Sequence, residues 1–172
     1  MALLEIVTFP DPRLRETCEP VEEVDDQTRK LIEDMAETLY GEPGRAGLAA
    51  PQVGSTKRII VCDPTPRQEP RQLIALVNPE IVESEGEIAM EEGCLSCPEV
   101  EVEIPRAQRV KVRGLDPNGE PVEIEGEDFA AILFQHELDH LDGVLIVDYL
   151  SSLKRGIYRR KMKKLKAEDQ KA

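Results

Sequence analysis

Apolar side chains recur at helical spacing near both ends of this chain and at strand spacing between them, and that change of period outlines its elements. From Asp26 to Tyr40, Leu31, Ile32, Met35, Ala36 and Leu39 fall on one helical face, with Asp25 or Asp26 placed to cap the first turn and Gly41 to stop the last. Gly44 to Gly54 is a run of small residues too broken by proline and glycine for a long helix, which predicts a tight loop or a short extended piece. From Arg58 to Glu125 the pattern turns to strands: Ile59 to Val61, Leu73 to Val77, and Val100 to Ile104 with strict alternation. Val110 to Val112 and Val122 to Ile124 flank Asn118-Gly119, a strong hairpin signal. Helix returns at about Glu127 to Asp142, closed by Gly143, and a last helix begins near Ser152. Strands grouped together with helices before and after them predict an α+β fold. Its strands are mainly antiparallel and pack around the helix of residues 127–142, between an N-terminal helix and a C-terminal basic one.

Composition and charge narrow the picture. With 172 residues, no repeat and no linker, one domain is expected: a catalytic body over 1–150, and a basic helix and tail over 151–172. No Trp, three Phe and three Tyr leave an aliphatic core. The amino terminus, Met-Ala-Leu-Leu-Glu-Ile, lacks a signal-peptide pattern and no run approaches a membrane span, so the chain reads as unexported, with no membrane partner. Cys18, Cys62, Cys94 and Cys97 are too few and too irregular for a disulfide framework, which favours a reducing compartment and free thiols or metal ligands. From Ser151 onward nine Lys/Arg stand against two acids, so the tail carries +7 and the first 150 residues −20 of the net −13. An acidic body excludes broad nucleic-acid binding, DNA included; the tail is either a solvated amphipathic helix, touching the body through Leu153, Ile157 and Leu165, or an anion-docking element.

The chemistry lies in the central helix. Both histidines of the chain stand in Gln135-His-Glu-Leu-Asp-His-Leu-Asp-Gly143, an H-E-x-x-H pattern. Residues four apart on a helix are rotated by about 400°, so His136 and His140 lie one turn apart on one face and can share a metal ion. Glu137, beside the ion, is suited to take a proton from an activated water and deliver it to a leaving group. A catalytic metal usually has three protein ligands, so one more must come from a downstream acid or from a cysteine. Cys94-Leu-Ser-Cys97 is formally C-x-x-C and, with the histidines, makes a closed zinc module conceivable. The 38 residues between Cys97 and His136 are far from finger spacing, however, and such a module gives Glu137 no role.

Three segments, Gly47-Leu-Ala-Ala-Pro-Gln-Val-Gly54, Glu92-Gly-Cys-Leu-Ser96 and Gln135-His-Glu-Leu-Asp-His-Leu-Asp-Gly143, resemble in order and separation the three motifs of peptide deformylases. The likeness extends over nearly the whole chain. It implies a metal-dependent hydrolase that removes the N-formyl group from N-formylmethionyl peptides, releasing formate, in the bacterial cytoplasm or an organelle. By that resemblance Cys94 is the third metal ligand with His136 and His140, and Glu137 the general base and acid. Gln52, through its amide, and Leu95, through its backbone N–H, hold the oxyanion; Gly47 borders the substrate peptide and Leu133, with Ile132, the methionine pocket. Glu92 and Arg106 match positions where the family places an ion pair. The resemblance favours Fe²⁺, and the same ligands suit Zn²⁺, Ni²⁺ or Co²⁺. It also implies a ribosome contact for the basic helix.

Two positions depart from the pattern: Arg45 stands where the family often has glycine, and Cys97 where an aliphatic residue is usual. Read as extended chain, 94 to 97 points Cys97 away from Cys94, which predicts that it is no ligand. Two other readings remain at this stage: an H-E-x-x-H metallopeptidase, for which no third histidine exists, and the non-catalytic zinc module using both cysteines.

Overall fold

The computed structural model describes residues 3–171; residues 1, 2 and 172, at the outer ends of the expected body and tail, lie outside it. Helix α1 spans Asp26–Leu39 and is capped by Asp25, whose carboxylate accepts the Thr28 N–H at 2.9 Å. After it come β1 (Gly47–Ala49), a 3₁₀ turn over Ala50–Val53, β2 (Ile59–Cys62) and β3 (Ile74–Glu85). Next are β4 (Ile88–Cys94), β5 (Cys97–Arg106), β6 (Arg109–Leu115) and β7 (Pro121–Glu127). Helix α2 (Phe129–Leu141), a 3₁₀ turn over Ile146–Tyr149 and helix α3 (Ser152–Lys171) complete the chain. Five strands form an antiparallel sheet in the order β1-β2-β3-β6-β7, while β4 and β5 form a separate two-stranded sheet.

The sheet is covered on both faces, which explains the unbroken apolar run of β2. Ile59 and Val61 pack with Ile32, Met35 and Leu39 of α1, whereas Ile60 and Cys62 pack with Leu133 and Phe134 of α2. Alternate residues of one strand therefore feed two cores. On its far side α2 meets the β4–β5 hairpin, so the H-E-x-x-H helix is central, enclosed between sheet and hairpin. It leaves by a tight turn at Gly143 (φ +76°), where a Cβ would stand 2.6 Å from the carbonyl oxygen of Arg15; only glycine fits. A third core joins Val7, Phe9 and Leu14 to Val102, Ile104, Ile146 and Val147, and α3 docks onto it.

The structure differs from the sequence expectation in three places. Strand β4 carries no period-two signal: along Ile88–Cys94 the one buried residue is Glu92, so the hidden face is marked by a charge. Strand β3 runs eight residues past Val77, because a bulge at Asn78 (φ +54°) absorbs the break that Asn78-Pro79 suggests. The Asn78 side chain secures the bulge by exchanging two 2.8 Å hydrogen bonds with the Val21 backbone. Finally, α3 touches the body through Tyr158, Met162 and Leu165, while Leu153 and Ile157 face outward. At about 100° per residue Tyr158 and Met162 lie within about 60° of Leu165, on the side away from Leu153 and Ile157, so the docking face is turned from the one those two mark.

Candidate active site

Four segments converge on one point. Helix α2 supplies His136, Glu137 and His140, 9%, 2% and 1% exposed, on the side turned away from its packing against the sheet. The end of β4 supplies Cys94, the two-residue turn that follows supplies Leu95 and Ser96, and the 3₁₀ turn after β1 supplies Gln52. The amino-terminal segment ties the two turns side by side: Val7 N–H donates to the Gln52 carbonyl at 2.7 Å and Phe9 N–H to the Ser96 carbonyl at 2.8 Å.

Cys94 Sγ lies 3.3 Å from His140 Nε2, and the ligand atoms of Cys94, His136 and His140 all lie within 4.8 Å of one another. Ligand atoms on a tetrahedral ion with Zn-like bond lengths are about 3.5 Å apart, so these three side chains fit a divalent metal. His136 Nδ1 is bonded to Glu92 Oε1 at 2.9 Å, which leaves Nε2 for an ion. Glu92 is itself held by Arg106 through two 2.9 Å contacts, in a pair whose side chains are 5% and 4% exposed. Burial raises the Glu92 pKa, but His136 and Arg106 outweigh it and keep the carboxyl below its ordinary value. This pair is a buried anchor of a candidate ligand, unlike a solvent-screened surface pair.

The Cys94 thiol is held well below its usual value by a hydrogen bond from Cys97, against burial, and by the two imidazoles. That direction favours the thiolate, the form that binds metals. Cys97 is pushed up by that same partner and by burial, and therefore keeps its proton. The expectation that Cys97 points away from Cys94 needs correction, because residues 94–97 form a hairpin turn in which Cys94 and Cys97 are directly opposed across the strands. It lies outside the three-residue ligand group all the same, 1% exposed among Val7, Phe9 and Val102.

Glu137 is pushed up by burial, partly offset by His136 and His140, and its Oε2 is buried with no hydrogen-bond partner among the described residues, as is His140 Nδ1. A carboxylate oxygen left unpartnered 2% exposed is costly unless something supplies a proton to it, and a water activated at the three ligands would do so. Gln52 is oriented by accepting the Ala49 N–H at 2.9 Å, which turns its Nε2 toward Ser96 Oγ (3.1 Å) and Cys94 Sγ (3.7 Å). Gly47 lies against Glu137: an added Cβ would stand 2.8 Å from Glu137 Oε1 and 2.8 Å from Leu133 Cδ1.

These groups open into a cleft of about 470 Å³ with residues 42–47 on one wall, 90–95 on the other and α2 as floor. Gly47, Gln52, Leu95, Ile132 and Leu133 all line it. Sequence reasoning missed Met90 and Phe129, which are 42% and 40% exposed at this cleft, and Ser96, the buried acceptor for Gln52. Exposed apolar residues have no periodic signature. Arg45 also lines the cleft, its guanidinium turned back to the Thr38 carbonyl at 2.6 Å. A larger groove of about 680 Å³ behind α2 contains none of the three candidate ligands.

Residues 3–156 match the family model for polypeptide deformylase. The chain is 50% identical over 163 residues to a peptide deformylase of Thermodesulfovibrio yellowstonii, covering 95% of this chain and 98% of that one. It is likewise 50% identical over 165 residues to one of Alkalilimnicola ehrlichii, covering 96% and 92%. Among solved structures, a peptide deformylase from Legionella pneumophila superposes with a TM-score of 0.88 at 44% identity, covering 99% of each chain.

Proposed function

The chain belongs to the peptide deformylase family, and from that premise we propose how its residues divide the work of hydrolysing an N-formylmethionyl peptide to formate and a free amino terminus. Cys94, His136 and His140 hold one divalent ion, Fe²⁺ in the cell, with Zn²⁺, Ni²⁺ or Co²⁺ fitting the same donors. When bound, the ion supplies Lewis acidity to the formyl oxygen and to water. Glu137, buried and with Oε2 unpartnered, takes the proton of the attacking water and passes it to the peptide nitrogen as the C–N bond breaks. Gln52 Nε2 and the Leu95 N–H donate to the oxygen on which negative charge develops. Strand β1 is the edge of its sheet, so Gly47 offers free backbone groups to an extended peptide. Leu133, with Met90, Phe129 and Ile132, gives the methionine side chain an apolar surface.

The single observation that carries this reading is the three-ligand cluster with Glu137 beside it in an open cleft. It disfavours a closed zinc module, because Cys97, although opposite Cys94, is not among the three clustered ligand atoms, and a peptidase with an acidic third ligand, because the Cys94 sulfur occupies that place. The test is a pair of substitutions with metal content and formate release both measured. Glu137→Ala should keep the metal and lose about a hundred- to ten-thousandfold in kcat/KM on formyl-Met-Ala, and Cys97→Ala, which removes a hydrogen bond to Cys94 but no ligand, should keep the metal and activity within about tenfold. Loss of metal from Cys97→Ala, or full activity in Glu137→Ala, would defeat the proposal.

The same reading treats residues 1–150 as the catalytic body and 151–172 as a basic helix and tail through which the protein contacts the ribosome. It places the enzyme in the bacterial cytoplasm or an organelle, where formylated chains are made. No helix among the described residues is long and apolar enough to cross a membrane.

A further inference from the structure

A chain of polar groups runs outward from the buried His136, at the cleft, to the exposed Tyr149, at the larger groove behind α2. His136 Nδ1 meets Glu92 Oε1, and Glu92 takes both Nε and Nη2 of Arg106. The remaining fork of Arg106, Nη1, donates to Asp139 Oδ2 at 2.7 Å. Tyr149 closes the outer end: its hydroxyl donates to the same Asp139 oxygen at 2.8 Å, and its ring lies 5.2 Å from the Arg106 guanidinium carbon. Asp139 belongs to α2, between the two histidines, while Tyr149 ends the 3₁₀ turn just before α3. Five side chains from α2, β4, β5 and the approach to α3 thus share one network, and its outer members, Asp139 and Tyr149, line the larger groove.

We infer that Asp139 and Tyr149 are positioning residues for the metal ligand His136, acting through Arg106 and Glu92; the inference rests on the metal-site reading above. A guanidinium satisfied only by Glu92 would have one fork free, and the pair would be free to pivot about its bidentate face. Asp139 removes that freedom by fixing the third direction, and Tyr149 fixes Asp139. Glu92 then presents Oε1 to His136 Nδ1 in one orientation, which sets the imidazole tautomer with Nε2 toward Cys94 and His140. The relay links the segment that carries α3 to the metal ligand without any contact to substrate.

The test uses the Co²⁺-loaded full-length enzyme. Asp139→Asn and Tyr149→Phe are compared with the parent for the rate of metal loss to a chelator, the Co²⁺ absorption spectrum, kcat and KM on formyl-Met-Ala, and the melting temperature after metal removal. Partners behind a metal-bound histidine are typically worth tenfold or more in affinity, so Asp139→Asn should release metal about tenfold faster and Tyr149→Phe about threefold. Both should show a changed Co²⁺ spectrum and an unchanged KM. Tyr149→Phe keeps the ring over Arg106, so it remains informative if Asp139→Asn folds poorly. Parent-like metal loss and spectrum in Tyr149→Phe overturn the inference, as does a drop in melting temperature of the metal-free form that accounts for the faster loss. A parent enzyme that binds no Co²⁺ overturns the underlying metal-site reading instead.

Discussion

Gly47 shows how tightly the site is assembled around single atoms. Its missing Cβ leaves room for both Glu137 Oε1 and Leu133 Cδ1, each 2.8 Å from where a methyl would stand. In Gly47→Ala either the carboxylate or the leucine must move, and Glu137 is the less restrained, with one oxygen unpartnered among the described residues. Misplacement by about 1 Å near the reacting atoms costs about a hundredfold, so Gly47→Ala should lose about that much kcat/KM on formyl-Met-Ala while keeping its metal, measured by metal analysis. Activity within twofold of the parent would mean that the carboxylate is not held where the mechanism needs it. At this scale the gathering of His136, Glu137 and His140 was legible from the H-E-x-x-H spacing, and that of Cys94 and Gln52 with them from the family resemblance. Ser96, Asp139 and Tyr149 were not, because each is joined to a partner distant in sequence, and only folding reveals that Tyr149 stands against Asp139.

Elements were legible where burial follows hydrophobicity, as in α1, β2 and β5, and hidden where a charged residue occupies the inner face, as Glu92 does in β4. The last helix illustrates an intermediate case: its existence follows from sequence, but its docking face does not follow from the aliphatic residues. Tyr158 and Met162, 5% and 3% exposed, carry the contact, aided by the Tyr158 hydroxyl donating to the Pro98 carbonyl at 2.7 Å. Met162→Ala should therefore destabilise the protein by about 2–4 kcal/mol through the cavity left among Val7, Phe9 and Val147. Ile157→Ala, at a position 52% exposed, should stay within about 0.5 kcal/mol. Urea unfolding of the two variants distinguishes this face from the one that the sequence suggested, and a larger loss in Ile157→Ala would reverse the assignment.

Over the whole molecule, charge is divided as unevenly as apolar surface. A body of −20 repels polyanions, whereas α3 presents Lys154, Arg159, Arg160, Lys161, Lys163 and Lys164 outward because Tyr158 and Met162 face inward. Lys166 is directed elsewhere, donating to the Thr8 carbonyl at 2.7 Å, which pins the helix to the amino-terminal segment. An RNA-bearing partner would therefore meet the protein through α3, none of whose residues lines the cleft, and the repulsive body would limit how else it could approach. If the proposed ribosome contact is made through these side chains, the logarithm of affinity should fall linearly with the logarithm of salt concentration, by about 0.7–0.9 per phosphate contact. Replacing Arg160, Lys161, Lys163 and Lys164 by glutamine should then reduce that slope by about 3, with kcat and KM on formyl-Met-Ala unchanged, since none of the four lines the cleft. Equal slopes for the parent and the fourfold variant would show that the ribosome, if bound at all, is met by another surface.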